Sequence, residues 1–337
     1  MKLWHYVLRR LLYIIPVLVG ISILTFVVSH LIPGDPVSLA AGPQATPEMI
    51  ENLRRQFGMD KPLWQQYFLY IANLLHGDWG MSMLSRHPVL QELRAYLPAT
   101  LELVLTATFL AVILGIPMGI AAAVFRDRWP DQGSRLFSLS AVSIPSFWLA
   151  ILFQLALGLY LGLFPIGGRL DTMLEPPRTI TGMIVVDSIL TLNGETLANA
   201  LRHLVLPAVT LCIPSLATIT RMMRAGVLEV MHEDHVRMQR ASGLPERVVF
   251  FKYVLKIALI STVTMIGLQF GWQMAGSVLI ETVYDWPGVG LYAMKSAMSL
   301  DFQPIMGIAL MYGVIFALVN IIVDVTYGFL DPRIRYE

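Results

Sequence analysis

With 337 residues, 56% of them hydrophobic and 14% charged, and a mean hydropathy of +0.65, the chain is too apolar for an ordinary soluble core. A formal charge of +1 without a basic run or stripe gives no footprint for nucleic acid. The single cysteine, Cys212, lies in an apolar stretch, which excludes an intrachain disulfide and a thiolate metal cluster and leaves it a packing role.

The N-terminal stretch MKLWHYVLRRLLYIIPVLVGISILTFVVSHLIPGDP starts basic, like a signal peptide, but its apolar run is too long and no A-x-A site follows. A retained transmembrane helix is predicted. Runs long enough to cross the roughly 30 Å hydrocarbon layer fall at 10–30, 99–125, 136–162, 203–221, 257–280 and 304–328. Six crossings would place both termini on one face. Lys2, Arg9, Arg10, Arg126, Arg128, Arg135, Arg221, Arg224, Arg237, Arg240, Arg247, Lys252, Lys256, Arg333 and Arg335 gather near that face, which the positive-inside rule makes cytoplasmic. Pro16, Pro117, Pro145, Pro207 and Pro214 fall within the spans and predict kinks.

Two long outer segments, 31–98 and 163–202, are too large for turns. In the first, Thr46 is placed to cap a helix with Pro47 at its first position, Met49, Ile50, Leu53 and Phe57 on its apolar face and Gly58 at its end. The stretch that follows, LWQQYFLYIANLLHGDWG, mixes Trp64, Tyr67, Phe68, Tyr70 and Trp79 with polar residues, as an interfacial aromatic belt does.

Residues 229–247 would be long enough to span, yet they carry Glu229, Glu233, Asp234, Arg237, Arg240, Glu246 and Arg247. At about 2.5–3.5 kcal/mol per central charge, burying these in lipid would cost roughly 20 kcal/mol. The segment is predicted outside the bilayer on the cytoplasmic face: a short helix over Glu233–Ala241, a left-handed corner at Gly243, and a new helix with Pro245 at its first position. A helix held there between two spans suits a soluble partner whose movement must reach the bundle.

Catalytic readings find little support. There is no GxxxxGK[ST] loop and no Gly-Lys pair to grip ATP phosphates. His232, Glu233, Asp234 and His235 lack the H-E-x-x-H spacing of a zinc site, so no metal is expected, and no G-x-S-x-G motif marks a hydrolase. Glu102 and Asp324 are acids within apolar runs and therefore functional suspects. Glu102, one turn after Pro98, is expected near a helix N-terminus. Asp324 is expected in a structural pair near Asn320, Arg333 and Arg335 rather than in a proton relay. A proton-coupled transporter, a passive channel or a nontransporting sensor are the alternatives to an ATP-driven machine.

The segment RMMRAGVLEVMHEDHVRMQRASGL (221–244) resembles the cytoplasmic loop of the dipeptide/oligopeptide/nickel permease family of ABC importers. LRRLLYIIPVLVGISILTFVVSHLIPGDP (8–36), ATLEL (99–103), ETVYDWPGVG (281–290) and NIIVDVTYGFLDPRIR (320–335) carry the likeness along the chain, in the manner of the first of two paired permeases. The resemblance implies an all-α, six-span membrane bundle with the type I importer fold: residues 1–98 form the first helix and a periplasmic segment, and 99–337 a five-helix core with a coupling helix at about 229–244. It also implies a second homologous permease, two ATP-binding cassette subunits that bind ATP and Mg in place of any cofactor here, a periplasmic binding protein, an inner-membrane location and no enzymatic role. In that family the loop docks into the ATPase, which points to Glu233, Asp234, Arg237, Gln239, Arg240, Ala241 and Gly243. The chain departs from the family pattern at Gln239, Ile257, Ser261 and Gln303, the last displacing a proline to Pro304. A solute path between the permeases is expected along Ser143, Ser146 and Gln154 and along Gln269, Gln273 and Ser277, although polar residues in bundles also bridge helices.

Overall fold

The computed structural model describes residues 3–31, 36–41, 45–56 and 58–330, and among them the chain is all-α, with a single isolated bridge between Met81 and Pro88. In chain order the helices are α1 (Leu3–Leu31), α2 (Pro36–Ala41), α3 (Pro47–Gln56), α4 (Leu63–Leu75), α5 (Val89–Val124), α6 (Trp129–Ser143), α7 (Ser146–Phe153), α8 (Ile184–Leu190), α9 (Gly194–Val230), α10 (Asp234–Ala241), α11 (Glu246–Val248), α12 (Leu255–Val283), α13 (Val289–Met298) and α14 (Phe302–Leu330). π-Helical turns extend α7 over Gln154–Tyr160 and join α11 to α12 over Val249–Val254.

Five of these stretches are each long and apolar enough to cross a membrane: Leu12–Leu31, Val89–Val124, Gly194–Val230, Glu246–Val283 and Phe302–Thr326. The span expected at 136–162, with a kink at Pro145, is α6 and α7 bent by 100°. Pro145 is the cause, because its ring drives the preceding residue out of the helical region. Ile144 is extended at φ −90° and ψ 123°. The span expected at 99–125 starts earlier, at Val89, since Pro98 is absorbed inside α5. Glu102 therefore sits well within a helix and not near its N-terminus. The span expected at 203–221 likewise extends at both ends beyond its apolar run, over Gly194–Val230.

The centre is formed by α5, α9 and α12, with α14 packed on α12 and α1 on α14. α5 and α9 approach closely because Gly115 and Gly119 face α9: a Cβ on Gly119 would lie 2.6 Å from the Thr220 carbonyl oxygen. This is the small-residue contact that membrane helices use where lipid supplies no hydrophobic drive. Leu103, Ala107, Ala111, Leu204, Leu211, Leu216, Phe270 and Met274 fill the core around that contact.

α3 forms as its sequence signals: the Met49 N–H donates to Thr46 Oγ1 (3.3 Å) and Gly58 takes φ +65°. Phe57 lies outside the described residues. In α4, Trp64 and Phe68 are exposed while Tyr67 and Tyr70 turn inward to Phe26 of α1. Asp324 pairs with Arg10 of α1 at 3.2 Å, so the first and last spans are tied at one end. Arg333 and Arg335, which were also expected near Asp324, lie outside the described residues.

Candidate coupling corner and core polar residues

α9 ends at Val230, and a turn through Met231 and His232 leads to Glu233, whose extended backbone (φ −71°, ψ 151°) starts α10. The Glu233 carbonyl accepts from the N–H groups of Val236 (3.1 Å) and Arg237 (3.2 Å). At the other end the Gly243 N–H donates to the Arg240 carbonyl (3.0 Å) and the Leu244 N–H to that of Gln239 (3.4 Å). These two bonds, with Gly243 at φ +77°, make a Schellman cap. Pro245 occupies the position before α11 rather than the predicted first helical position.

One side chain anchors this polar helix. Val236 is 0% exposed and sits among Val227, Val230, Val249, Val254 and Ala258, where the ends of α9 and α12 meet. Arg240 closes the corner: its Nη2 lies 2.7 Å from Glu246 Oε1, and its Nη1 donates to the Met231 carbonyl (3.3 Å). Glu246 holds the Arg240 guanidinium above its ordinary pKa. Gln239 is half-buried beside it.

The opposite face is left free. Asp234, Arg237, Met238 and Ala241, spaced as one helical face, all point to solvent, with the Asp234 and Arg237 side chains 97% and 66% exposed. Glu233 is exposed at the start of this face and bonds His235 Nδ1 (3.0 Å). The predicted residues thus divide into an outward set, Glu233, Asp234, Arg237 and Ala241, and an inward pair, Gln239 and Arg240, with Gly243 exposed at the corner itself. Val236, Met238 and Glu246 complete the corner and were not singled out from sequence. The alternation of an anchoring Val236 with an outward Met238 was the available signal.

The polar residues expected along a path fall in two places. Ser143, donating to the Leu139 carbonyl (2.8 Å), and half-buried Ser146 flank the α6–α7 bend. The others bridge elements: Gln154 donates to the carbonyls of Ile166 (2.6 Å) and Val283 (3.2 Å), Gln269 accepts from Ser215 Oγ (3.0 Å), and Gln273 accepts from Thr108 Oγ1 (2.9 Å). The Gln273 amide nitrogen is buried without a partner, and Ser277 is buried and donates to the Met274 carbonyl (3.0 Å).

At the bundle end opposite α10, two buried acids organise the loops. Glu102 accepts from Arg169 (2.5 Å) and from the Val185 N–H (2.6 Å), while the Arg169 guanidinium also reaches the Gly182 carbonyl (3.1 Å) and lies over Trp286. Glu281 accepts from Thr100 Oγ1 (2.8 Å) and from the Leu291 N–H (3.0 Å) at the start of α13, and Trp286 Nε1 donates to the Ala99 carbonyl (2.9 Å). The ETVYDWPGVG stretch is therefore a connection that locks α12 and α13 onto α5. Glu281 was not picked out from sequence, although an acid closing the apolar run four residues before D-W-P-G-V-G marks it. Among the described residues no three His, Cys, Asp or Glu side chains converge as metal ligands.

Two family models match the chain. Residues 115–336 match the binding-protein-dependent transport system inner membrane component, and residues 3–104 match the N-terminal region of such membrane components. The chain is 43% identical to a probable D,D-dipeptide transport system permease protein of Escherichia coli (strain K12), over 99% of this chain and 98% of that protein. It is 39% identical to a dipeptide transport system permease protein of Alkalihalophilus pseudofirmus, over 98% of this chain and 99% of the relative. It is 38% identical to a glutathione transport system permease protein of Escherichia coli (strain K12), over 99% of both. With its apolar helices, these matches make the chain a multi-pass inner-membrane permease belonging to the family of binding-protein-dependent transport system membrane components.

Proposed function

We propose that this permease is one of two homologous subunits that together form the path of an ATP-driven importer for dipeptides, oligopeptides or a similar small solute. The relatives' dipeptide and glutathione transport names support that cargo class. In this reading a periplasmic binding protein delivers the solute, and two cassette ATPases bind ATP and Mg. This chain carries no catalytic role or cofactor.

The observation that carries the reading is the outward stripe Asp234, Arg237, Met238 and Ala241 on a helix whose Val236 is wholly buried where α9 and α12 meet. Force applied to that stripe passes into two long spans at once. Residues 1–98 then act as an appended helix and outer segment, and 99–337 as the core. The α10 end gathers Arg9, Arg10, Arg126, Arg128, Arg221, Arg224, Arg247, Lys252 and Lys256, which supports a cytoplasmic assignment of that end and of both termini. Ser143 and Ser146 at the bend are the residues most open to a path on the subunit surface. Gln154, Gln269 and Gln273 contribute by holding the helices that frame it, with Ser277 buried one turn beyond Gln273.

The test is a Met238→Cys chain in a Cys212→Ala background, co-expressed with candidate cassette ATPase subunits and treated with a short bifunctional crosslinker. A crosslink to an ATPase that changes with nucleotide is expected. Efficient labelling of Asp234→Cys by an impermeant maleimide in sealed cells, with no crosslink, would overturn both the docking role and the orientation.

A further inference from the structure

We propose that the groove between α6 and α9, near the α10 end, is a binding site for the phosphate headgroup of an anionic phospholipid. A cavity of about 740 Å³ lies there, bordered by Arg126, Arg135, Arg221 and Arg224 together with Thr220 and Leu139. This site is separate from the α10 stripe and does not depend on the docking role given to it.

The arrangement is a cationic wall with its internal charge already spent. Asp131 at the start of α6 is wholly buried and takes both Arg224 (2.6 and 2.9 Å) and Arg135 (2.7 and 3.1 Å). Arg135 also reaches the exposed Asp127 at 3.3 Å, so Asp131 and Asp127 together face Arg126, Arg135 and Arg224, which leaves one net positive charge and fixes the Arg135 and Arg224 forks in place. Arg221 makes no ion pair with a described residue, and Arg126 reaches only the exposed Asp127 at 3.4 Å. Glu229 is the remaining acid of the lining, so cations exceed anions around the cavity. The Thr220 hydroxyl in the same lining is buried without a hydrogen-bond partner. Guanidinium forks paired with a hydroxyl are the groups that bind phosphate oxygens.

The apolar surroundings favour a lipid over a free anion. From the cavity toward the α6–α7 bend, α6 exposes Leu136, Leu139 and Val142 in succession, a track suited to an acyl chain and of no use to inorganic phosphate. The cavity also lies at the end of two membrane-spanning elements, the depth at which basic pockets between helices meet headgroups.

The experiment uses the full-length chain, delipidated in mild detergent and titrated with phosphatidylglycerol or phosphatidylcholine, with bound lipid counted by native mass spectrometry. Retention of phosphatidylglycerol over phosphatidylcholine is expected. Arg126→Gln with Arg221→Gln should weaken it about 25-fold, from about fivefold for each cation lost at such a surface, while Arg221→Lys keeps most of it. Both arginines are exposed, so the thermal transition of the double variant should stay at the wild-type value; if it does not, Arg221→Gln alone carries the comparison. Equal retention of the two lipids, or undiminished phosphatidylglycerol binding by the variant, would overturn the site. Complete displacement of the lipid by equimolar inorganic phosphate would overturn the lipid assignment in favour of a small anion. Loss of the lipid when the chain is purified with its second permease would identify the groove as a subunit contact and equally defeat it.

Discussion

Charge reversal on α10 separates two roles that look alike in the sequence. Arg237 and Arg240 are both basic residues of one short helix, but Arg237 contacts only Asp234, at 3.4 Å, where both side chains are largely exposed. A pair of that kind contributes about 0–1 kcal/mol, so Arg237→Glu should leave the chain's own stability nearly unchanged. If the outward face meets a partner, the same change places a wrong charge in a partly desolvated contact. That costs about 2–5 kcal/mol, or roughly 30-fold or more in affinity. Arg240 is different, since its guanidinium holds Glu246 at 2.7 Å across the Gly243 corner, with the two side chains 35% and 64% exposed. Losing that pair costs about 1 kcal/mol, less than the roughly 1.5–3 kcal/mol that a fully buried side chain such as Val236 supplies. Arg240→Glu should therefore loosen the corner without detaching α10, and adding Glu246→Arg should restore it. The assay is ATP hydrolysis by the reconstituted complex with and without loaded binding protein, together with co-purification of the subunits. Arg237→Glu is expected to abolish stimulation and weaken co-purification, and the swapped 240/246 pair to recover most of the stimulation that Arg240→Glu loses. Wild-type stimulation and full assembly in Arg237→Glu would refute the docking face, and an unrecovered swap would refute the internal role of Arg240.

Three other sites test the surrounding geometry. Gly243→Val meets no atom within 4 Å but must hold φ +77°, a backbone cost of about 1–2 kcal/mol; transport should fall while membrane assembly persists, Gly243→Asn should retain more activity, and normal uptake by the Val variant would contradict the corner. Arg169→Met leaves the Glu102 carboxylate buried and unpaired, at about 3–5 kcal/mol, whereas Glu102→Leu combined with Arg169→Met should recover most of the thermal transition measured in detergent; equal losses in the single and double variants would show that the pair is not the determinant. Burial opposes the charge on Asp187, yet hydrogen bonds from the Thr181 hydroxyl and from the N–H groups of Thr181, Ile180 and Gly182 hold its pKa below the ordinary carboxylate value. Its contribution is thus fully present above about pH 4 and is lost as pH falls through the lowered value, so hydrogen exchange at 180–182 should lose protection only in acid, and Asp187→Asn should show the loss already at neutral pH.

The parts that were legible in the sequence are those decided within a few residues. Thr46, Pro47 and Gly58 delimit α3 through local backbone chemistry, and Gly243 and the polar run before it give α10 and its corner. The break at Pro145 was visible as a kink, but the 100° size of its bend is not encoded in periodicity. The π turns after α7 and α11 were equally hidden. Glu102 and Arg169 stand 67 positions apart, and Thr100 and Glu281 stand 181 apart. Each is an unexplained polar residue in apolar surroundings until the fold supplies its partner. The polar residues proposed for a path show the same limit: composition marks Gln269 and Gln273 as unusual, while only the packing shows that they hold Ser215 and Thr108.

For a push on α10 to change a path through the bundle, it must deform something between the two ends. α9 is the element that reaches both, with 37 residues and a length of roughly 55 Å at 1.5 Å per residue. Near α10 it is bound closely to the start of α12, since a Cβ on Gly226 would come within 3.2 Å of the Ala258 carbonyl, and Val236 is wedged beside that contact. At the far end it is held to the loop by Asn199 and His203 on Asp171. Both ends are thus clamped, and the compliant part lies between them. Pro207 and Pro214 are inside α9, and each removes an N–H from the helix ladder and frees a carbonyl one turn back. Beside this weakened interval lie the Ser215–Gln269 and Thr108–Gln273 bonds, each a single neutral hydrogen bond worth about 1 kcal/mol. Exchanging them costs far less than breaking the Asp131 cluster at one end or the Glu102–Arg169 pair at the other. On the coupling role proposed for α10, motion entering there concentrates at the middle of α9 and α12, the depth at which a barrier to a solute would have to open.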